Sequence, residues 1–152
     1  MQTVTELEGV IKLLREHSCR ITPQRIDVVK YILNTRSHPS ADDIHKVIKK
    51  RYPMISLATV YKTLDLLKRL YIVQELGFAD KSARYETNSK AHINMVCMSC
   101  GMISDVEGVR GLSELESQAR DKSSYYVLTR RFELHGYCPS CKSKHYRRNE
   151  YI

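Results

Sequence analysis

Four of the five cysteines fall in two C-x-x-C pairs, Cys97 with Cys100, followed by Gly101, and Cys138 with Cys141, around Pro139. Two short turns of this kind can aim four thiolates at one point, the coordination that a tetrahedral Zn²⁺ takes. A single C-x-x-C can instead be a dithiol redox pair, and in an oxidising compartment two pairs can be disulfides. A redox motif would be one pair beside a βαβ pattern, whereas here two pairs lie about 40 residues apart with Gly or Pro in or next to the turn, which favours structural zinc. Cys19 stands outside both pairs and reads as a small core hydrophobe.

The segments around the cysteines must position them. Strand alternation from His92 to Val96 puts His92, Asn94 and Val96 on one face and Ile93 and Met95 on the other. Residues 102–106 should pair with that strand across the first cysteine turn, and Leu112, Leu115 and Ala119 mark a helix. Ser124 to Leu134 reads as one long, tyrosine-rich strand that delivers Cys138. Zinc would then staple the end of the last strand to the first hairpin.

The first half of the chain has a helical pattern. Leu7, Val10, Ile11 and Leu14 predict a helix over about residues 4–17. Thr22-Pro23 reads as an N-cap with proline at the first helical position, and Ser40 with Asp43 as a capping box. Tyr52-Pro53 should end the third helix. In the fourth, Ser56–Leu70, Leu57, Val60, Leu64 and Leu67 share one side, while Ala58, Thr59, Lys62 and Arg69 fall opposite with Tyr61 on the flank. Small, hydroxyl, cationic and aromatic residues on one face suit a helix that enters a major groove, although a solvated helix packed on its leucines has the same pattern. Two short strands, 71–76 and 83–87, follow around a 77–82 turn, the order of a winged helix-turn-helix.

At 152 residues the chain can form one ordinary domain or two small ones. Its 25 Lys+Arg against 17 Asp+Glu give +8, which suits a polyanionic partner. Residues 1–90 hold 16 basic and 10 acidic side chains, and residues 91–152 hold 9 and 7, so the excess lies in the helical half. The N-terminus lacks the pattern of a signal peptide, and no apolar run approaches the ~20 residues of a membrane span. The expectation is a cytoplasmic protein with no membrane partner, in which thiols stay reduced for metal.

Several motifs occur in order: Ile21-Thr22-Pro23-Gln24-Arg25, His38-Pro39-Ser40-Ala41-Asp42, Ser56-Leu57-Ala58-Thr59-Val60-Tyr61, His92 ahead of Cys97-x-x-Cys100-Gly101, and Cys138-x-x-Cys141. Together they closely resemble the ferric uptake regulator (Fur) family over nearly the whole chain, most of all its peroxide-responsive branch. The resemblance implies an α+β protein: a winged-helix DNA-binding domain at 1–87, a hinge at 88–91, and a zinc-stabilised α/β dimerisation domain at 92–152. It implies a homodimeric, metal-dependent repressor bound to a double-stranded DNA operator.

Carried over by position, the family's regulatory metal site falls on His38, Glu86, His92, Asn94 and Asp105. Two imidazoles and two carboxylates balance a divalent ion, and this donor set suits Fe²⁺ or Mn²⁺ better than soft metals, with Zn²⁺ a third candidate. Asn94 departs from the family, which commonly has a histidine there, and its amide is a weaker ligand. A further site of many relatives would need ligands at positions that here are Ala91, Ile93 and Arg130, so that site is expected to be absent. Tyr61, Thr59 and Lys62 are the expected base-contacting group, Arg20 matches a family position that reaches the minor groove, and Arg25 should hold phosphate. His17, His45, His135 and His145 carry no motif, and His45 is expected on the exposed side of its helix.

Other readings compete. A Fur-family sensor of iron, manganese or zinc need not respond to peroxide. A metal-dependent hydrolase or thiol oxidoreductase would leave the basic helical half unexplained, and no nucleophile motif or phosphate loop is present. A zinc-stapled dimer could also bind a protein partner. Only a DNA-binding regulator shows salt-dependent affinity for duplex DNA.

Overall fold

The computed structural model describes residues 2–77, 82–87 and 90–146, with side chains within residues 6–144. The chain divides into two compact units, Met1–Asn88 and Ser89–Ile152. Of the expected wing turn, residues 78–81 lie outside the described residues; so do residues 88–89 of the expected hinge and 147–152 at the end of the second domain.

The first unit holds α1 (Gln2–Glu16), α2 (Pro23–Asn34), α3 (Ala41–Lys49), α4 (Leu57–Arg69), β1 (Gln74–Leu76) and β2 (Arg84–Glu86). The predicted caps set three of the helix starts. Thr22 Oγ1 accepts the Arg25 N–H at 3.3 Å, and Ser56 Oγ accepts the Thr59 N–H at 3.2 Å. Ser40 and Asp43 form a reciprocal capping box, in which Ser40 Oγ accepts the Asp43 N–H and the Asp43 carboxylate accepts the Ser40 N–H and hydroxyl. The Ser40 bonds hold the Asp43 carboxyl below its usual range, with Arg84 adding to the effect.

The apolar stripes of these helices meet in one core. Leu14, Val28, Val29, Ile32, Ile44, Val60, Leu64 and Leu67 are all essentially inaccessible, and Tyr85 of β2 closes the core from the wing side. The strands β1 and β2 pair antiparallel, Glu75 opposite Tyr85. They are shorter than the alternation suggested, because residues 71–73 are spent in closing α4. Tyr71 takes φ of 57° and donates its N–H to Lys68 O, and Ile72 bonds back to Leu67 O. Helix α3 ends at Lys49, ahead of the expected stop, and its last carbonyls turn the chain through Arg51 and Tyr52. His45 is not on an open face: the chain folds back beneath α3, and the imidazole Nε2 bonds to Ile55 O at 2.9 Å, half-buried.

The second unit is a three-stranded sheet in the order β4-β3-β5. Its centre is β3 (His92–Cys97), antiparallel to β4 (Ile103–Glu107) and parallel to β5 (Glu133–Gly136). Alternation on β3 is as expected, with His92, Asn94 and Val96 buried and Ile93 and Met95 half-buried. Helix α5 (Leu112–Ser123) buries only Leu112, and a short α6 (Pro139–Tyr146) carries Cys141. The long strand expected at 124–134 is not formed. Residues 124–132 have no regular structure, and β5 begins at Glu133. Tyr125, Tyr126 and Leu128 are mostly exposed, so among the described residues these β-favouring side chains have no neighbouring strand to pack on.

The core prediction is direct. Leu64→Ala should destabilise the first unit by about 2–5 kcal/mol in urea unfolding, the range for a fully buried leucine. A loss under about 1 kcal/mol would contradict its place at the centre of the core.

Candidate metal centres and nucleic-acid interface

The four cysteines are brought together by local turns. Cys97 ends β3, and its N–H bonds to Met102 O at 2.9 Å to close the hairpin, while Gly101 takes φ of 73° and bonds back to Cys97 O. Only a residue without Cβ adopts that angle at little cost. Met98 N–H reaches Gly136 O at 2.8 Å, which hooks this turn to the end of β5. The second pair follows at once, with the Cys138 N–H on Cys97 Sγ at 3.3 Å and the first turn of α6 presenting Cys141.

All four sulfurs lie within 4.8 Å of one another. A tetrahedron with metal–sulfur bonds of ~2.3 Å has edges of about 3.8 Å. The Cys100 and Cys138 sulfurs are 3.8 Å apart. Backbone N–H groups of Cys100 and Cys138 pull the Cys97 thiol down to about 5. Cys138 moves the other way, to about 11: the Cys141 N–H lowers it, but burial and the neighbouring sulfurs together raise it more. The sulfur spacing is that of a set of ligands shared by one metal ion. The donors therefore fit Zn²⁺, and because all four positions are sulfur, no site is left for a substrate. The site is structural.

The remaining predicted ligands divide between the units. In the first, His38 Nε2 and Glu86 Oε2 are 3.2 Å apart and both side chains are 6% exposed. His38 takes φ of 47°, a backbone conformation that costs a non-glycine residue about 1–3 kcal/mol unless its surroundings impose it. Two contacts impose it here: the Tyr85 N–H on Pro39 O at 3.0 Å, and Arg84 on Asp43 at 3.1 Å, both tying the loop after His38 to β2.

In the second unit, Lys90 O accepts from His92 Nδ1 at 3.0 Å, which puts the ring proton there and leaves the Nε2 lone pair for a metal. That Nε2 is 4.0 Å from Asp105 Oδ1. Asn94, 1% exposed, faces Asp105 across one strand pair and Glu133 across the other. Buried imidazole–carboxylate pairs of this kind fit a divalent cation of borderline hardness.

On the expected DNA face, Arg20, Ala58, Tyr61, Lys62 and Arg69 are exposed, while Val60, Thr63, Leu64 and Leu67 face the core. Thr59 is half-buried, its hydroxyl bonded to Ser56 Oγ at 2.9 Å. Arg25 is also half-buried and turned inward, with bonds to Cys19 Sγ, Arg20 O and Thr63 Oγ1. Thr63 was not among the sequence candidates, and nothing in the helical pattern separates it from an ordinary core position.

The ferric uptake regulator family profile matches residues 16–141. The chain belongs to this family. It is similar to the peroxide-responsive repressor PerR of Staphylococcus epidermidis, with 37% identity over 91% of this chain and 92% of that protein. Among solved structures it is similar to the Campylobacter jejuni peroxide stress regulator (34% identity, TM-score 0.69, 86% of this chain and 98% of that one). It shares the fold of the Helicobacter pylori ferric uptake regulator at 20% identity, TM-score 0.75, over 92% and 93% of the two chains. Fur-family proteins are metal-dependent transcription regulators that bind DNA as dimers, not enzymes, and this chain is one of them. No helix among the described residues is long and apolar enough to cross a membrane.

Cys138→Ser should lower the zinc content measured by elemental analysis and disrupt the dimer module, because three sulfurs leave the ion exchangeable. Full zinc with an intact dimer would contradict the structural assignment.

Proposed function

We propose that this Fur-family regulator is a repressor that senses peroxide through Fe²⁺ or Mn²⁺ held by His38, Glu86, His92, Asn94 and Asp105. In this reading residues 1–87 are the DNA-binding domain, residues 88–91 are the hinge, and residues 92–152 form the dimerisation domain. The exposed side chains of Tyr125, Tyr126, Leu128 and Leu134 supply an apolar surface for the second subunit. A repressor acts where its operator lies, so its compartment is the cytoplasm.

The observation that carries the reading is the buried His38–Glu86 pair at 3.2 Å, on a strained loop fastened to the wing. An imidazole and a carboxylate held side by side at 6% exposure offer adjacent N and O donors of the kind a divalent cation takes. When bound, the metal supplies positive charge to these carboxylates, and Fe²⁺ also supplies an electron to peroxide. The protein's part is to bring donors from both units into one set, so that occupancy favours one domain arrangement over the others. That arrangement presents Tyr61, Lys62 and Thr59 to the major groove and Arg20 to the minor groove of each half-site.

Asn94 supports a second reading, a metal sensor without peroxide chemistry, because an amide replaces an imidazole in the donor set. One experiment separates the two. A duplex selected by the protein from a random pool is titrated with Fe²⁺, Mn²⁺ and Zn²⁺, with and without brief peroxide, followed by peptide mass spectrometry. Peroxide sensing predicts tight binding with Fe²⁺, its loss on peroxide, and one added oxygen on His38 or His92. Unmodified histidines with DNA binding intact would leave the metal-only sensor. Binding indifferent to every metal would overturn both.

A further inference from the structure

We infer that Arg25 is a positioning residue, which fixes the reader helix against the loop that carries Arg20. This rests on α4 being the DNA-reading helix. The guanidinium spans two segments. Its Nε donates to Thr63 Oγ1 at 3.3 Å, and that hydroxyl in turn donates to Thr59 O at 2.8 Å on α4. Its Nη1 donates to the carbonyl of Arg20 and to Cys19 Sγ, in the connection between α1 and α2.

The two exposed candidates for opposite grooves, Tyr61 on α4 and Arg20 on the loop, thus share one internal strut. Groove readout needs both at a fixed separation, because a base contact is lost when its side chain arrives about 1 Å out of place. The planar fork of an arginine reaches the two sides from separate nitrogens, Nε and Nη1, whereas lysine presents all its donors from one atom. Thr63 is 0% exposed, so it reaches neither base nor phosphate, and its hydroxyl touches the DNA face only through this strut and the Thr59 carbonyl.

The same geometry separates positioning from phosphate binding. A phosphate contact contributes about one unit to the slope of log affinity against log salt, whereas an internal strut contributes none. Binding is measured with the metal-loaded dimer on a duplex selected by the wild-type protein and on an unrelated duplex. Thr63→Val should weaken the selected duplex about tenfold, the cost of one charge-assisted hydrogen bond, with the unrelated duplex and the salt slope unchanged. Thr63→Ser, which keeps the hydroxyl, should restore binding.

Arg25→Lys, which keeps the charge, should behave as Thr63→Val does. In a double-mutant cycle, Arg20→Ala should cost less in the Thr63→Val background than in the wild type, which a general loss of stability does not produce. The inference is overturned if Thr63→Val binds as wild type, or if Arg25→Lys keeps full affinity while Arg25→Gln flattens the slope by about one. If Thr63→Val does not fold, the two Arg25 variants decide by slope and selectivity. A wild type that ignores DNA at every metal concentration would refute the reader helix itself.

Discussion

Four cysteine sulfurs held within 4.8 Å of one another can bind one tetrahedral Zn²⁺ together, and the second unit is built around that coordination. Its apolar resources are slight. Among its described residues the buried apolar side chains are Val96, Leu112 and the two cysteines Cys97 and Cys141, whereas the first unit fills a continuous core from four helices and the wing. Where burial cannot supply the stability, metal–thiolate bonds can, because ligands that meet only in the folded state make binding energy into folding energy. The hairpin, β5 and α6 meet at the cysteines for the same reason.

The second donor set serves another end. A closed sulfur site has one state, but a mixed set divided between two units can be complete or incomplete. On the proposed reading, an ion's concentration would set the domain arrangement, by as much as the ion's affinity differs between arrangements and no more. At His38 a strained backbone angle is held by the Tyr85–Pro39 bond and the Arg84–Asp43 pair, which fixes its imidazole beside Glu86.

Much of this was legible in the sequence because the signals were local. Thr22-Pro23, Ser40 with Asp43, and Ser56 announce helix starts through bonds to their own third neighbours. The C-x-x-C pairs announce the zinc site through turn geometry. Reading failed where the partner is distant. Residues 124–132 have strand-forming side chains, but strand formation needs a neighbouring ladder, and among the described residues β3 reaches this stretch only at its end, where the Asn94 N–H bonds to Phe132 O. His45 was assigned to an open surface, yet its partner, Ile55 O ten residues on, follows from folding alone, as does the bond from Arg25 to Thr63 thirty-eight residues on. Helix α6 was missed because an eight-residue segment with no apolar stripe has no periodic signature.

We propose that metal held by His38, Glu86, His92 and Asp105 and DNA held by the first unit favour the same arrangement. Linkage makes this reciprocal, so whatever factor Mn²⁺ adds to DNA affinity, DNA adds to Mn²⁺ affinity. The direct test is the Mn²⁺ dissociation constant of the zinc-replete dimer, measured with and without saturating selected duplex. A shift of about 5- to 150-fold toward tighter metal binding, matched to the effect of Mn²⁺ on DNA, is the predicted result. Equal Mn²⁺ affinity in the two conditions would contradict it.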